Sequence, residues 1–142
     1  MRNRWVPLLC FMMIVLTILA CEGGTSGSVT GSTETCRMMG NGGECEGKFG
    51  KLSGTYGADI EDENIFSMDV IDVEVQVSVE SGSVKVSVEG PDGEVSSVQA
   101  TPNQPATLVG VAEGDFDGFE VTFEALQEDA RSVQYRISYR IR

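Results

Sequence analysis

Histidine is missing from this chain altogether. Its absence removes the usual general base near neutral pH, the Ser-His and Cys-His nucleophile pairs, and any His-ligated zinc or haem site. Positive charge is scarce, with ten Lys and Arg against 22 Asp and Glu. Arg2 and Arg4 account for two of the ten and every acid follows Cys21, so the chain beyond that cysteine carries a formal charge of −14. Such a surface is repelled by phosphate backbones, which argues against nucleic acid as a partner. Tryptophan occurs once, at Trp5, so no Trp is left downstream to form a sugar-stacking platform. The nucleophile elbow Gly-x-Ser-x-Gly does not occur, and Gly40-Asn41-Gly42-Gly43 precedes no helical pattern that could hold a phosphate. No segment repeats with the 3.6-residue period of a helix.

Charge and hydropathy divide the chain. After Arg2 and Arg4, Val6 to Ala20 is an apolar run of 15 residues broken only by Pro7, Cys10 and Thr17. A membrane-spanning helix needs about 20 apolar residues, so the run suits the h-region of a cleaved signal peptide. It ends in Ile18-Leu19-Ala20-Cys21. This junction resembles the lipobox of bacterial lipoprotein precursors. The resemblance covers the leader alone. It implies cleavage after Ala20, acylation of Cys21 and attachment to a bacterial membrane on its extracytoplasmic side. Two other readings of the same run are plain secretion after cleavage at Ala20 and an uncleaved short anchor. Residues 21–35 are dominated by Gly, Ser and Thr, with Val29 the only large apolar side chain after the cysteine. That composition predicts a flexible tether, with a reach of about 20 Å for 14 residues of coil.

Residues 36–142 are then the folded part, long enough for one core and too short for two. Cys36 and Cys45 form an even pair in an oxidising compartment, which predicts a disulfide closing a Gly-rich loop. Two thiols without a His or a further Cys do not complete a zinc site.

Val73, Val75, Val77 and Val79 alternate with polar residues, as do Val84, Val86 and Val88 beyond Ser81-Gly82. Strict alternation means strands with one buried face. The expected register is a hairpin with Val79 opposite Val84, Val77 opposite Val86 and Val75 opposite Val88. Gly90-Pro91-Asp92-Gly93 reads as a turn. Val95 and Val98 are out of phase, which predicts an edge strand with a bulge near Ser96-Ser97. Further strands are expected over 106–112, 119–125 and 133–141, the last two joined as a hairpin through Leu126 to Ser132, with Arg136, Arg140 and Arg142 on the outer face beside Glu120 and Glu124. One or two more strands are expected between Leu52 and Val70. The fold class that follows is an all-β antiparallel sandwich with Greek-key or jelly-roll-like connections, a small β-barrel being the alternative.

Glu113, Asp115, Asp117, Gly118 and Glu124 match the spacing of an EF-hand calcium loop at five positions. Against a calcium ion stands the strand pattern of 119–125, which carries Glu124 about 20 Å from Gly118 at ~3.3 Å per residue. A polar turn is the plainer reading of those residues. Asp59, Glu61, Asp62 and Glu63 read as a solvated acidic loop, and Tyr56 as a plug for the strand ends. About 100 residues spent on a sandwich leave little chain for a catalytic cleft. The sequence therefore predicts a non-catalytic envelope module that binds protein or glycan, with a calcium-stabilised structural domain as the second reading.

Overall fold

The computed structural model describes residues 27–142. They form nine antiparallel strands: β1 (Ser28–Thr30), β2 (Thr33–Met38), β3 (Gly42–Ser53), β4 (Thr55–Glu61), β5 (Val70–Ser78), β6 (Ser81–Glu89), β7 (Val95–Ala100), β8 (Ala106–Glu113) and β9 (Gly118–Ile141). One layer runs β3, the C-terminal half of β9, β5 and β8, with β1 and β2 laid end to end along the free side of β3. The other runs β4, the N-terminal half of β9, β6 and β7. The two layers enclose one core, so the fold is the sandwich. No ladder joins β7 to β8 among the described residues, and the barrel alternative does not hold.

The layers are continuous through β9, which is 24 residues long. Its odd positions Phe119, Val121 and Phe123 are buried in one layer, and Val133, Tyr135, Ile137 and Tyr139 in the other. Between them the alternation is broken twice, at Gln127 (φ 67°) and Ser132 (φ 52°). A left-handed residue in a strand bulges and bends it. Ala130, at an even position between the two breaks, is fully buried, and the odd positions return to the core after Ser132. Along the neighbouring strand Ser81 lies opposite Arg131 and Ser83 opposite Leu126, so five steps on β9 match two on β6. The surplus chain carries β9 over from one layer to the other.

Both expected hairpins are corrected by this arrangement. Val75 and Val77 on β5 pair with β8 and β9, whereas on β6 Val84 and Val86 pair with β7 and β9 and Val88 with β7. Each set is buried as its alternation requires, but they meet across the core rather than along a ladder. Likewise 119–125 and 133–141 are two stretches of one strand, not partners. Two of the three outer-face arginines therefore find other acids: Arg136 Nε donates to Glu46 at 2.7 Å and Arg142 to Asp72 at 2.6 to 3.1 Å, while Glu124 is held by Lys85 at 2.9 Å. Strand β7 is an edge strand, but its register with β6 is unbroken from Glu89–Val95 to Val84–Ala100. There is no bulge at Ser96-Ser97; Val95 simply faces solvent and Val98 the core.

The N-terminal region is more structured than its composition suggests. Ser28–Thr30 and Thr33–Thr35, expected in a tether, are ladder residues of β1 and β2, so the folded part begins before Cys36. Of the Gly-rich stretch after Cys36, Gly40 (φ 64°) and Asn41 make the β2–β3 turn, and Gly42 and Gly43 begin β3. Gly43 and Gly47 lie directly opposite Tyr139 and Tyr135. A Cβ on Gly43 would stand 2.6 Å from the Tyr139 hydroxyl, and one on Gly47 would collide with the Tyr135 ring. The glycines are bare because two tyrosines lie across them, which is how a β-ladder tolerates glycine next to aromatics. Tyr135 also belongs to an aromatic cluster, with its ring centroid 5.1 Å from Phe49 and 4.8 Å from Phe123; Tyr56 stands edge-on to Phe49 at 5.3 Å. Cys36 and Cys45 are cross-strand neighbours in the β2–β3 hairpin and are joined as a disulfide.

Two substitutions on neighbouring residues test the faces of β9. Ile137 is fully buried, so Ile137→Asp is expected to unfold the domain by burying an unpaired charge, while Arg136→Ser on the exposed side costs under about 1 kcal/mol. Equal urea midpoints for the two variants would refute the assignment. Gly47→Ala is expected to cost about 1 to 3 kcal/mol in the same melt, because the new methyl displaces Tyr135 from the cluster.

Candidate functional site

The chain enters the sandwich at Gly27, which packs on Thr55, and at Ser28 opposite Ser53. The register places 50–55, 78–83, 100–106 and 125–132 at this proximal end. The opposite, distal end holds the β4–β5 loop, the β6–β7 turn and the β8–β9 turn, with the β2–β3 turn at its side. Seven large hydrophobic side chains are exposed among the described residues, and six of them lie distally: Met38, Met39, Phe66, Met68, Val95 and Phe116.

The centre of the distal end is two segments bound to each other by main-chain hydrogen bonds. Asp62 N–H donates to the Asp117 carbonyl at 2.9 Å, Met68 N–H to the Gly114 carbonyl at 2.9 Å, and Gly114 N–H to the Asp69 carbonyl at 2.8 Å. Ile65 is fully buried and anchors the β4–β5 loop to the core. Gly114 has no room for a side chain, since a Cβ there would stand 2.5 Å from the Phe66 carbonyl oxygen. Within each segment the acids cap the backbone: Phe66 N–H donates to Asp69 Oδ2 at 2.8 Å and Phe116 N–H to Asp115 Oδ1 at 2.7 Å. Met68 (φ 73°) and Asp117 (φ 61°) are held in the left-handed region, which for Met costs roughly 1 to 2 kcal/mol. The product is a braced platform on which Phe66, Met68 and Phe116 are 66, 78 and 82 % exposed.

Asp62 underpins the platform. The acidic run expected to be solvated contains the one buried charged residue among those described, since Asp62 is 1 % exposed. Its Oδ2 accepts from the Tyr139 hydroxyl at 2.7 Å, and its Oδ1 from Asn64 N–H at 2.9 Å and Asn64 Nδ2 at 2.8 Å. Burial pushes the carboxyl up, but the three donors outweigh it and hold the group below its ordinary carboxylate value. Tyr139 is shifted the other way, upward, first by burial and then by its bond to the Asp62 carboxylate.

The residues of the calcium pattern are not gathered into one place. Glu113 ends β8 opposite Val70, Asp115 and Asp117 lie in the β8–β9 turn, and Glu124 is beyond, on β9, engaged by Lys85. Glu113 and Asp115 share a hollow of about 410 Å³ with Glu89, Glu120 and Met68; Asp117 and Glu124 do not line it. Among the described residues, no three His, Cys, Asp or Glu side chains are grouped as metal ligands would be. A second hollow, about 650 Å³ and polar, crosses the outer face of the β3 layer between Thr35, Glu46, Gln76, Thr107 and Arg136. Cys21 and the lipobox-like Ile18-Leu19-Ala20 lie outside the described residues. Phe66, Met68 and Phe116 escaped the sequence reading because they follow no period. The available signal was Phe116 itself, an aromatic residue in the middle of the turn Gly114-Asp115-Phe116-Asp117-Gly118, since turns run over the surface.

No protein-family description matches the chain, and no curated protein does. Among solved structures it is similar to the PRD1 vertex protein P5, with 10 % identity and a TM-score of 0.46 over 84 % of each chain. It is similar also to the BiXyn10A CBM1 (11 % identity, TM-score 0.39, 84 % of this chain and 99 % of that one). An oxalate oxidase in complex with glycolate gives 12 % identity and a TM-score of 0.38; the chain spans 55 % of that protein, and 85 % of the chain is covered. These likenesses concern β architecture alone, which catalytic and non-catalytic proteins share.

Tyr139→Phe removes one donor from the Asp62 carboxylate and is expected to cost about 1.5 to 3 kcal/mol at neutral pH. Because the folded Asp62 titrates below its unfolded value, the stabilisation is fully present above the unfolded pKa and is lost as pH falls through the folded one. The gap between wild type and variant should therefore narrow on acidification below about pH 4, as read from urea midpoints across a pH series. A gap independent of pH would mean that the hydroxyl acts through packing and not through the carboxylate.

Proposed function

We propose that the chain is a lipid-tethered envelope protein whose sandwich is a non-catalytic binding module, with its distal end as the contact surface. The observation that carries this reading is the sorting of apolar side chains. Among the described residues, six of the seven exposed large hydrophobics lie at the end away from Gly27, where the segment from Cys21 joins the domain. An apolar surface held out in water is costly to keep unless a partner covers it, and such patches mark interaction sites. Their place opposite the tether is where a display module meets a partner. The disulfide between Cys36 and Cys45 favours the oxidising side of a membrane. The missing histidine, and the lack among the described residues of an enclosed cleft with convergent acid and base, favour binding over chemistry. A protein partner is preferred to a glycan because Phe66, Met68 and Phe116 offer a large apolar contact area, which a protein's apolar side chains can cover. The calcium reading is not favoured, since Glu124 is committed to Lys85.

In the cells that make the protein, Cys21→Ser is expected to abolish fatty-acid labelling and to release the chain from the membrane fraction. A photo-crosslinking side chain at Phe116 should yield a defined adduct, while the same group at Glu128, on the proximal end, yields none. Membrane retention of Cys21→Ser without labelling of the wild type would overturn the tether. Identical adducts from positions 116 and 128, or none from 116, would overturn the distal surface.

A further inference from the structure

The charge on the platform is mostly acidic, the arginines of that end, Arg140 and Arg142, lying to its side along β5. Glu61, Glu63, Glu89, Glu113, Asp115 and Asp117 are all exposed there, and none of them takes part in a salt bridge among the described residues. Among the described residues five acids are held by salt bridges, none of them one of these six: Lys51 holds Asp129 at 2.7 Å, Lys85 holds Glu124 at 2.9 Å, Arg136 holds Glu44 and Glu46, and Arg142 holds Asp72 at 2.6 Å. The unbalanced acids also have a shaped recess. Glu89, Glu113, Asp115 and Glu120 wall the hollow of about 410 Å³, and Met68 forms part of its rim. Apolar knobs and an acid-walled recess thus stand side by side on one braced platform.

Resting on the binding-module reading above, we infer that the distal platform docks a basic amphipathic protein segment. Its Lys or Arg side chain enters the recess between Glu89, Glu113 and Asp115, and its apolar side chains pack on Phe66, Met68 and Phe116. Charge complementarity selects this occupant. A second copy would bring six unpaired carboxylates against six, and an anionic bilayer would be repelled by the same groups. A neutral apolar partner would leave the recess acids desolvated without counter-charge, which is costly. Met at the contact suits a segment whose apolar side chains vary, because the thioether adapts its shape. The aromatic pair supplies the anchor, as Phe66 and Phe116 offer large contact areas on a backbone already fixed in place.

The test uses the full chain and a fluorescein-labelled peptide of alternating Leu and Lys as probe, with fluorescence anisotropy at two salt concentrations. Two control peptides replace Leu by Ser or Lys by Glu. The wild type is expected to bind the Leu/Lys peptide, more weakly at the higher salt, and to bind neither control comparably. Phe116→Ser and Glu113→Gln should each weaken binding about tenfold. Val109→Ser, an exposed apolar residue on the outer face of β8, should leave it unchanged. Equal binding of the Ser/Lys control would reduce the effect to bulk charge and overturn the inference. So would unchanged affinity in Phe116→Ser, or preference for vesicles of phosphatidylcholine and phosphatidylglycerol over the peptide. A cellular adduct from position 116 combined with no peptide binding defeats this inference and leaves the binding-module reading standing. Loss of both defeats the two together.

Discussion

A strand that hydrogen-bonds in two sheets must satisfy both at once, and in this domain four other strands depend on β9 doing so. β3, β4, β5 and β6 all pair with it, and the remaining strands attach through those. Its apolar side chains are the floor of the core in each layer. The crossover between Leu126 and Ser132 is therefore where the angle between the layers is set. Two non-glycine residues there accept left-handed backbone, at Gln127 and Ser132, and the bend they create is stabilised by the burial of Ala130 between them. A straight β9 would leave one layer without its central strand.

Much of this was legible in the sequence, in a particular sense. Alternation identifies which side chains face a core, so the burial of Val73 to Val79, Val84 to Val88 and Val133 to Tyr139 follows from the residues alone. It does not identify the neighbour, because two strands that face one core from opposite layers have the same alternation as two strands of a hairpin. The pair Val77 with Val86 and the hairpin of 119–125 with 133–141 fail for that one reason. The N-terminal strands were hidden by composition. Glycine usually signals a loop, but Gly43 and Gly47 are strand residues made small by Tyr139 and Tyr135, which lie about 90 positions downstream. That constraint is long-range and cannot be read from a local window. The disulfide, by contrast, was legible because the compartment argument needs only the count of cysteines.

The distal end illustrates how a loop becomes a surface. Phe66, Met68 and Phe116 are exposed not because the loops are loose but because the loops are tied: the cross-loop hydrogen bonds, the packing of Ile65 and the absence of space at Gly114 leave these side chains nowhere else to go. Asp62 supplies the ionic part of that bracing through Tyr139, which itself belongs to β9. The same strand that organises the two layers thus reaches the platform, and damage to the core at Tyr139 is transmitted there through one carboxylate. Of this, the sequence exposed the acids and concealed the arrangement, since a buried Asp and its solvated neighbours look alike in a run of four.

The position of β9 in chain order has a kinetic side. Few of its contacts are local, and its ladder partners on β3 to β6 precede it by up to 98 residues, from Gly42 to Arg140, so this topology folds slowly and late. During synthesis, β3, β4, β5 and β6 leave the ribosome with no strand to share between the layers. They gain one only after the residues from Gly118 onward have emerged. A keystone placed this late keeps the two layers apart while the preceding strands emerge, and then lets both close at once around β9.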